Sequence, residues 1–398
     1  MKYNFNLFFK NLYDSFIGTK NTHARLTRKR SGFLILFYIV WPIWGIIVWV
    51  SFFLDSIFFP SYKKQAVEKP LFILGNFRSG STYLQRLIAK DHQQFASATT
   101  WDIFMSPSVS LTKAFSIILS IDRKLGSPIK NAFIKFDART LGQVEIHKIS
   151  FLEPEEDENF LLHIWSSFIG GILFPFIEDF IPYIYFDQKL AAHKRSSIMR
   201  FYYQIIQRFL FTKQGSPNFL SKNPSFSPKI GSIFKHFPNA KIVYLVRNPI
   251  EMLPSTISWL GYTWRVFSDP LVRYPFISEI IKFTKHWYDY PLSVLSKTDP
   301  ANYLIIKYDD LVQNPEKTVF QIYDHFGYEM NATSHQTLKQ AIAESKQFKS
   351  QHVYSFEKMG ITHQEILSTY KNIFEQFEFD TNKQVNSSKD LKNETTLS

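Results

Sequence analysis

Apolar residues fall along this chain in runs of distinct length, and the lengths predict different elements. Residues 32–54 carry no charged side chain, and a run of that length exceeds the roughly 20 apolar residues a helix needs to cross a bilayer. Three shorter runs, Leu71 to Gly75, Lys241 to Val246 and Tyr303 to Lys307, have the length and apolar content of strands buried on both faces. Phe219 to Ser221 reads as a further short strand ahead of Lys222. Between these runs the spacing changes to that of helices: Leu84, Leu87 and Ile88 share one face, and residues 228–236 form a helix before the strand at 241. Residues 160–186 are again apolar but are broken by His163, Gly170, Gly171, Pro175, Glu178 and Asp179. That segment reads as a pair of core helices, with a lid or acceptor groove facing a membrane as the sharper alternative. The last residues, 380–398, are rich in Asn, Lys, Ser and Thr without apolar periodicity, which predicts a disordered tail.

This pattern divides the chain into a basic segment over 1–31, a membrane anchor over 32–59, one large domain over 67–379, and the tail. No Pro/Gly/Ser-rich linker splits the large domain. Charge refines the picture of the anchor. The formal net charge is +12, and Lys2, Lys10, Lys20, Arg25, Arg28, Lys29 and Arg30 all precede the apolar run. Such a flank holds the amino terminus on the cytoplasmic side, and the run starts too late for a cleaved signal peptide. Pro42 with Tyr38, Trp41, Trp44 and Trp49 also allows an interfacial anchor that enters one leaflet and returns. With basic residues concentrated there, anionic lipid is the nearer partner than nucleic acid. The chain has no cysteine, so disulfides, thiolate catalysis and cysteine metal sites are excluded.

Two strand ends carry the chemistry. After the first strand come Gly75-Asn76-Phe77-Arg78-Ser79-Gly80-Ser81-Thr82. Gly75 and Gly80 have phosphate-loop spacing and Thr82 supplies a hydroxyl, but Ser81 stands where a triphosphate-binding loop carries lysine. The cation is Arg78 instead, suited to a shorter anionic tail. Backbone N–H groups of Ser79 to Thr82 open the next helix toward that anion. At the second strand end, Arg247-Asn248-Pro249 leads into a helix that carries Ser255 about two turns on. An arginine and a hydroxyl so placed can hold a second phosphate; a structural salt bridge is the plainer use of Arg247.

Taken together, the two motifs resemble those of sulfotransferases that use 3'-phosphoadenosine 5'-phosphosulfate (PAPS). The resemblance continues through Ser221-Lys222-Asn223-Pro224, Phe237-Pro238-Asn239-Ala240-Lys241, Lys307-Tyr308-Asp309-Asp310-Leu311 and Asn314-Pro315-Glu316, and covers about 67–379. It is nearest to membrane-associated members with a long insert between the motifs. It implies a P-loop-like α/β fold, a doubly wound parallel sheet with helices on both faces, plus the N-terminal anchoring helix. It further implies that Arg78, Ser79, Gly80, Ser81 and Thr82 hold the 5'-phosphosulfate, that Arg247 and Ser255 hold the 3'-phosphate, and that Tyr308 belongs to the donor site.

Lys222 matches the lysine that stabilises the leaving group. For the base, Asp102 ranks first, falling where related branches carry glutamate. His147 ranks second, as a neutral imidazole suited to proton removal. Glu156 ranks third, in an acidic run of Glu153, Glu155, Glu156, Asp157 and Glu158 that resembles an element of this branch and by composition alone is a solvated loop or helix start.

The implied reaction moves a sulfuryl group from PAPS to a hydroxyl or amine of a glycan, lipid or other amphiphilic acceptor, leaving 3',5'-ADP, with no metal. Because the donor is cytosolic in bacteria, the catalytic domain is expected on the cytosolic side of a bacterial inner membrane, or in the Golgi lumen if the source is eukaryotic. A P-loop kinase or NTPase and a catalytically silent membrane scaffold are the rivals from other classes.

Overall fold

The computed structural model describes residues 3–140, 150–215, 217–345 and 356–383. Its centre is a sheet of five parallel strands: β1 (Leu71–Gly75), β2 (Phe95–Ala96), β3 (Asn218–Lys222), β4 (Lys241–Val246) and β5 (Tyr303–Lys307), in the order β2-β3-β1-β4-β5. Four of the five lie at the apolar runs read from the sequence; β2 has two residues and leaves no periodicity to read.

Alternation within β1 assigns its side chains to two cores. Phe72 and Leu74 join Tyr244 and Val246 on the face covered by the helices Ala192–Phe211, Pro249–Phe267 and Ile277–Leu295. Leu71 and Ile73 join Val243 and Leu245 on the other, covered by Ser81–Ile88, Pro315–Phe326 and Ala332–Ser345. The expected doubly wound α/β sheet is therefore present. The chain leaves β1 toward the β2 edge and leaves β4 toward the β5 edge. Open sheets bind ligands at the carboxyl end of such a divergence.

Two short-range expectations are modified. The helix expected over 228–236 is a 3-10 turn, Pro224–Lys229, running into Ile230–His236. The apolar region 160–186 is neither a span nor two helices: it breaks into a 3-10 helix, Asp157–Ile164, and short helices at Gly170–Leu173, Ile177–Ile184 and Phe186–Lys189. Pro175 lies in the break between the helices Gly170–Leu173 and Ile177–Ile184.

The N-terminal region differs more. The first helices are α1 (Phe5–Phe16) and α2 (Arg28–Phe58), the latter started by the Thr27 side chain, which accepts from the Arg30 N–H. The boundary expected near residue 67 does not set them apart from the domain. Leu7, Phe8, Leu34, Val48 and Phe52 are part of the same buried core as β1 and β4. Asp55 near the end of α2 is fully buried against Arg208, 3.0 Å from its Nε, and accepts the N–H groups of Val109 and Ser110 at 3.1 and 2.8 Å. At the opposite terminus, the Asp380 carbonyl accepts from Asn248 and Lys383 pairs with Glu251 at 3.1 Å, so the start of the expected tail is docked. Residues 384–398 lie outside the described residues.

Candidate active site

The loop after β1 is shaped by close approach and by backbone that only small residues adopt easily. Gly75 has φ +142°, and a Cβ there would lie 2.5 Å from the Leu245 carbonyl oxygen of β4. Gly80 has φ +86°, and a Cβ would lie 2.9 Å from the Tyr308 ring. Between them Arg78 takes φ +63°, uncommon for a side-chain-bearing residue. Side chains from other elements lock the loop. Ser227 Oγ accepts the Gly75 N–H at 3.1 Å and donates to the Gly75 carbonyl at 2.8 Å. Asn76 donates to the Thr284 carbonyl at 3.0 Å.

The loop then opens α3 (Ser81–Ile88), with Gly80 at its N-cap. The four leading N–H groups of a helix have no partner within it and present positive potential. Immediately before them the buried Ser79 hydroxyl has no hydrogen-bond partner among the described residues, nor has the Asn76 side-chain oxygen. Buried polar atoms are rarely left so, and a phosphate at the helix start would satisfy the hydroxyl.

The second motif folds onto the first. Arg247 Nη1 donates to the Arg78 carbonyl at 2.7 Å, and its guanidinium lies 4.0 Å from the Tyr308 ring centroid. Arg78 Nε donates to Ser255 Oγ at 3.0 Å. Tyr288 fixes the Arg247 carbonyl through a 2.5 Å hydrogen bond. The residues assigned to two phosphates, more than 160 positions apart in the chain, thus form one connected cluster of two guanidinium groups and a hydroxyl.

Lys222 ends β3, which pairs with β1 so that Lys222 lies opposite Ile73, two residues before the loop begins at Gly75. Its side chain is fully buried, and Nζ lies 2.9 Å from Glu156 Oε1 and 3.8 Å from Glu155 Oε1. This corrects the solvated-loop reading of the acidic run, which is pinned against the end of β3. Asp157, buried, accepts from Tyr202 Oη, from Ser221 Oγ at 3.0 Å, from the Lys222 N–H at 3.1 Å and from Asn223 at 2.9 Å. Burial pushes its pKa up and these donors oppose the rise. Glu158 pairs with Lys229 at 2.5 Å, both fully buried; desolvation raises the carboxyl and lowers the amine, and the pairing counters both shifts. The peptide from Glu156 to Glu158 is in this way a rigid strap beside Lys222.

The three sequence-derived bases fare differently. Glu156 contacts Lys222. Asp102 sits at the third position of α4 (Thr100–Phe104), where it accepts the Thr99 N–H at 3.0 Å and hydroxyl at 2.7 Å in a capping box. It also pairs with Lys213 at 3.3 Å. Its carboxylate is committed to capping and ion pairing. His147 lies outside the described residues. Sequence reasoning missed Asn76, Ser227 and the Asp157 anchor; Ser227, three residues after Pro224, carries no motif of its own. No cluster of possible metal ligands occurs among the described residues.

Residues 178–332, which hold Lys222, Arg247, Ser255 and Tyr308, match the model of the sulfotransferase family. The chain is 22% identical over 268 residues to the omega-hydroxy-beta-dihydromenaquinone-9 sulfotransferase Stf3 of Mycobacterium bovis and of Mycobacterium tuberculosis. That match covers 65% of this chain and 63% of the relatives' length. Two crystal structures share the fold. Sulfotransferase STF1 from M. tuberculosis H37Rv superposes with a TM-score of 0.66 at 17% identity, covering 93% of this chain and 92% of that one. Sulfotransferase STF9 from Mycobacterium avium gives 0.65 at 17% identity, covering 81% and 80%.

Proposed function

We propose that the protein transfers a sulfuryl group from PAPS to a hydroxyl or amine of an amphiphilic acceptor, a lipid before a glycan. The observation that carries this reading is the joining of Arg78, Ser255 and Arg247 beside a helix start with an unsatisfied buried hydroxyl. Two separate anionic groups suit that cluster better than one triphosphate, and Ser81 occupies the place of the lysine a triphosphate loop would use. The N–H groups of Ser79 to Thr82 and the Ser79 hydroxyl would take the 5' end of the donor. Arg247, held by its stacking on Tyr308, would take the 3'-phosphate with Ser255.

In the reaction the acceptor oxygen forms a bond to sulfur while the bond from sulfur to the bridging phosphate oxygen breaks. Negative charge grows on that oxygen as 3',5'-ADP leaves. Lys222 is the cation for it: the ammonium is enclosed, so its charge is poorly screened. Glu156 is the base. At rest the two side chains pair at 2.9 Å, and as Lys222 turns to the donor, the carboxylate is left to accept the acceptor's proton. The acidic strap keeps Glu156 within reach.

The name of the mycobacterial relatives specifies an omega-hydroxy-dihydromenaquinone acceptor, which supports a hydroxylated lipid here. The test is transfer of radiolabelled sulfate from PAPS to fractionated native lipids and glycans. Label in the lipid fraction that disappears with Lys222→Ala supports the reading; transfer of radiolabelled phosphate from ATP to the same fractions, or no label from PAPS in any fraction, overturns it.

A further inference from the structure

α2 is the one described helix long and apolar enough to cross a membrane, yet its contacts are those of a helix lying along a domain. It is 31 residues long, or about 46 Å at 1.5 Å per residue. One side is fastened to the domain over most of that length. Phe37 contacts Trp165 and Phe174, Trp44 Nε1 donates to the Phe104 carbonyl at 2.7 Å, and Trp49 Nε1 donates to the His163 carbonyl at 3.1 Å. Asp55 closes the seam with Arg208. From Phe37 to Asp55 this seam runs roughly 27 Å, close to the whole hydrocarbon thickness of a bilayer. A perpendicular span would draw those loops and the buried ion pair into lipid, where irregular backbone and charge are costly.

Among the described residues the opposite side of α2 is unpartnered and apolar. Leu36, Ile39, Ile43, Ile46, Val50 and Phe53 are all more than half exposed and follow one another at intervals of three and four, one stripe of a helix. The stripe does not stand alone. α1 adjoins α2 through Phe8 and Phe16 against Tyr38, and it exposes Phe5 and Phe9. α5 (Val109–Lys124) packs along α2, and α6 (Pro128–Thr140) along α5, exposing Ile117, Ile121, Ile129 and Phe136. Charge on these helices is equally one-sided. Among their described side chains every exposed charged one is basic: Lys10, Arg28, Lys29 and Lys113, Arg123 and Lys124, Lys130 and Lys135. Their acidic residues are buried or half-buried, as with Asp55 and Asp122, which cap or pair within the fold.

We propose that α1, α2, α5 and α6 together form an in-plane docking surface for an anionic bilayer leaflet, so that the protein rests in one leaflet without crossing it. An apolar face edged by lysine and arginine, with no exposed carboxylate, is complementary to acyl chains beneath anionic headgroups. This deepens the sulfotransferase reading, from which it takes the amphiphilic acceptor: such an acceptor would meet the site while still held by the leaflet. Binding to lipid is measurable without any turnover.

Two measurements on the full chain test it, with folding followed throughout by the thermal shift that 3',5'-ADP produces. In vesicle flotation, the protein should bind phosphatidylcholine mixed with phosphatidylglycerol more tightly than phosphatidylcholine alone. Leu36→Glu with Ile43→Glu should weaken binding to both by about tenfold or more, and Arg28→Glu with Lys29→Glu should remove the preference for the anionic mixture. The chain has no cysteine, so the double variant Lys20→Cys, Ser61→Cys reports topology in sealed reconstituted vesicles treated with a membrane-impermeant maleimide. Each molecule should carry two labels or none. One label per molecule means α2 spans and overturns the proposal. So does a soluble oligomer that ignores vesicles, or equal binding to both lipids that the charge reversals leave unchanged. Loss of the 3',5'-ADP shift in the native chain would count against the sulfotransferase reading and leave the lipid result standing by itself.

Discussion

Replacing Lys222 by alanine separates binding from chemistry. The ammonium is fully buried at the end of β3, 2.9 Å from Glu156 and 3.8 Å from Glu155, whose side chains are only 14% and 15% exposed. Its proposed role in transfer is to meet charge that appears only as the bond to sulfur breaks, so its loss should fall mainly on the transition state. Removing one preorganised stabilising donor costs about 2.7–4 kcal/mol, or 10²–10³ in rate. Donor affinity should fall much less, because in the proposed donor site Arg78, Arg247 and the helix start hold the two phosphates. The truncation also leaves two carboxylates facing each other without their cation, so the variant should be less stable, and Lys222→Met offers a second variant of closer volume. The assay pairs single-turnover rates at saturating PAPS, using the acceptor fraction found by label transfer, with calorimetric affinity for 3',5'-ADP. A rate within a few-fold of the native enzyme, or a loss of affinity as large as the loss of rate, would refute the assignment.

Glu156→Gln should lose about 10²–10⁴ in rate with donor binding intact, and the loss should shrink as pH rises and solvent base takes over. Asp102→Asn should instead cost on the order of 1 kcal/mol of stability through the weakened cap, with near-native turnover; stability by denaturation and rate by label transfer distinguish the two. Arg208→Ala leaves Asp55 buried without its cation and should destabilise the whole domain by about 3–5 kcal/mol, seen as one cooperative shift in calorimetry; a native melting temperature would show that α2 is not part of the core. His163 is buried, contacts the Ile103 carbonyl through Nε2 at 2.8 Å, and burial lowers its pKa from 6.5 to about 4. The unfolded chain therefore binds a proton between those values while the fold does not, so stability should fall as pH drops from 6.5 toward 4, by about 3 kcal/mol from this group. His163→Asn should remove that part of the pH dependence, read from denaturation midpoints across the range.

The sheet was legible because buried parallel strands are short apolar runs, and because Gly75, Gly80 and Arg247-Asn248-Pro249 mark where two of them end. The joining of Arg78 to Ser255 and of Arg247 to Arg78 followed from where a doubly wound sheet brings its carboxyl ends. What the sequence hid depends on partners remote in the chain. The acidic run has the composition of a solvated loop, and only contact with Tyr202, Ser221 and Asn223 makes it a buried strap. The ranking of Asp102 over Glu156 rested on position after the first helix; the capping box that occupies Asp102 was present as Thr99-x-x-Asp102 but went unread. α2 looked like a separable anchor since hydrophobicity does not tell which side of a helix meets lipid and which meets protein. The polar exceptions on it, Ser51 and Asp55, were the residues that did.

Recognition of a donor with separate 5' and 3' anionic groups is tested most directly by isothermal titration of the full-length protein with 3',5'-ADP and with 5'-ADP. The Arg78, Ser255 and Arg247 cluster predicts clearly tighter binding of 3',5'-ADP, with Arg247→Ala costing it on the order of 1.5–3 kcal/mol and leaving 5'-ADP nearly unchanged. Equal affinities for the two nucleotides, or an Arg247→Ala protein that still distinguishes them, would contradict it.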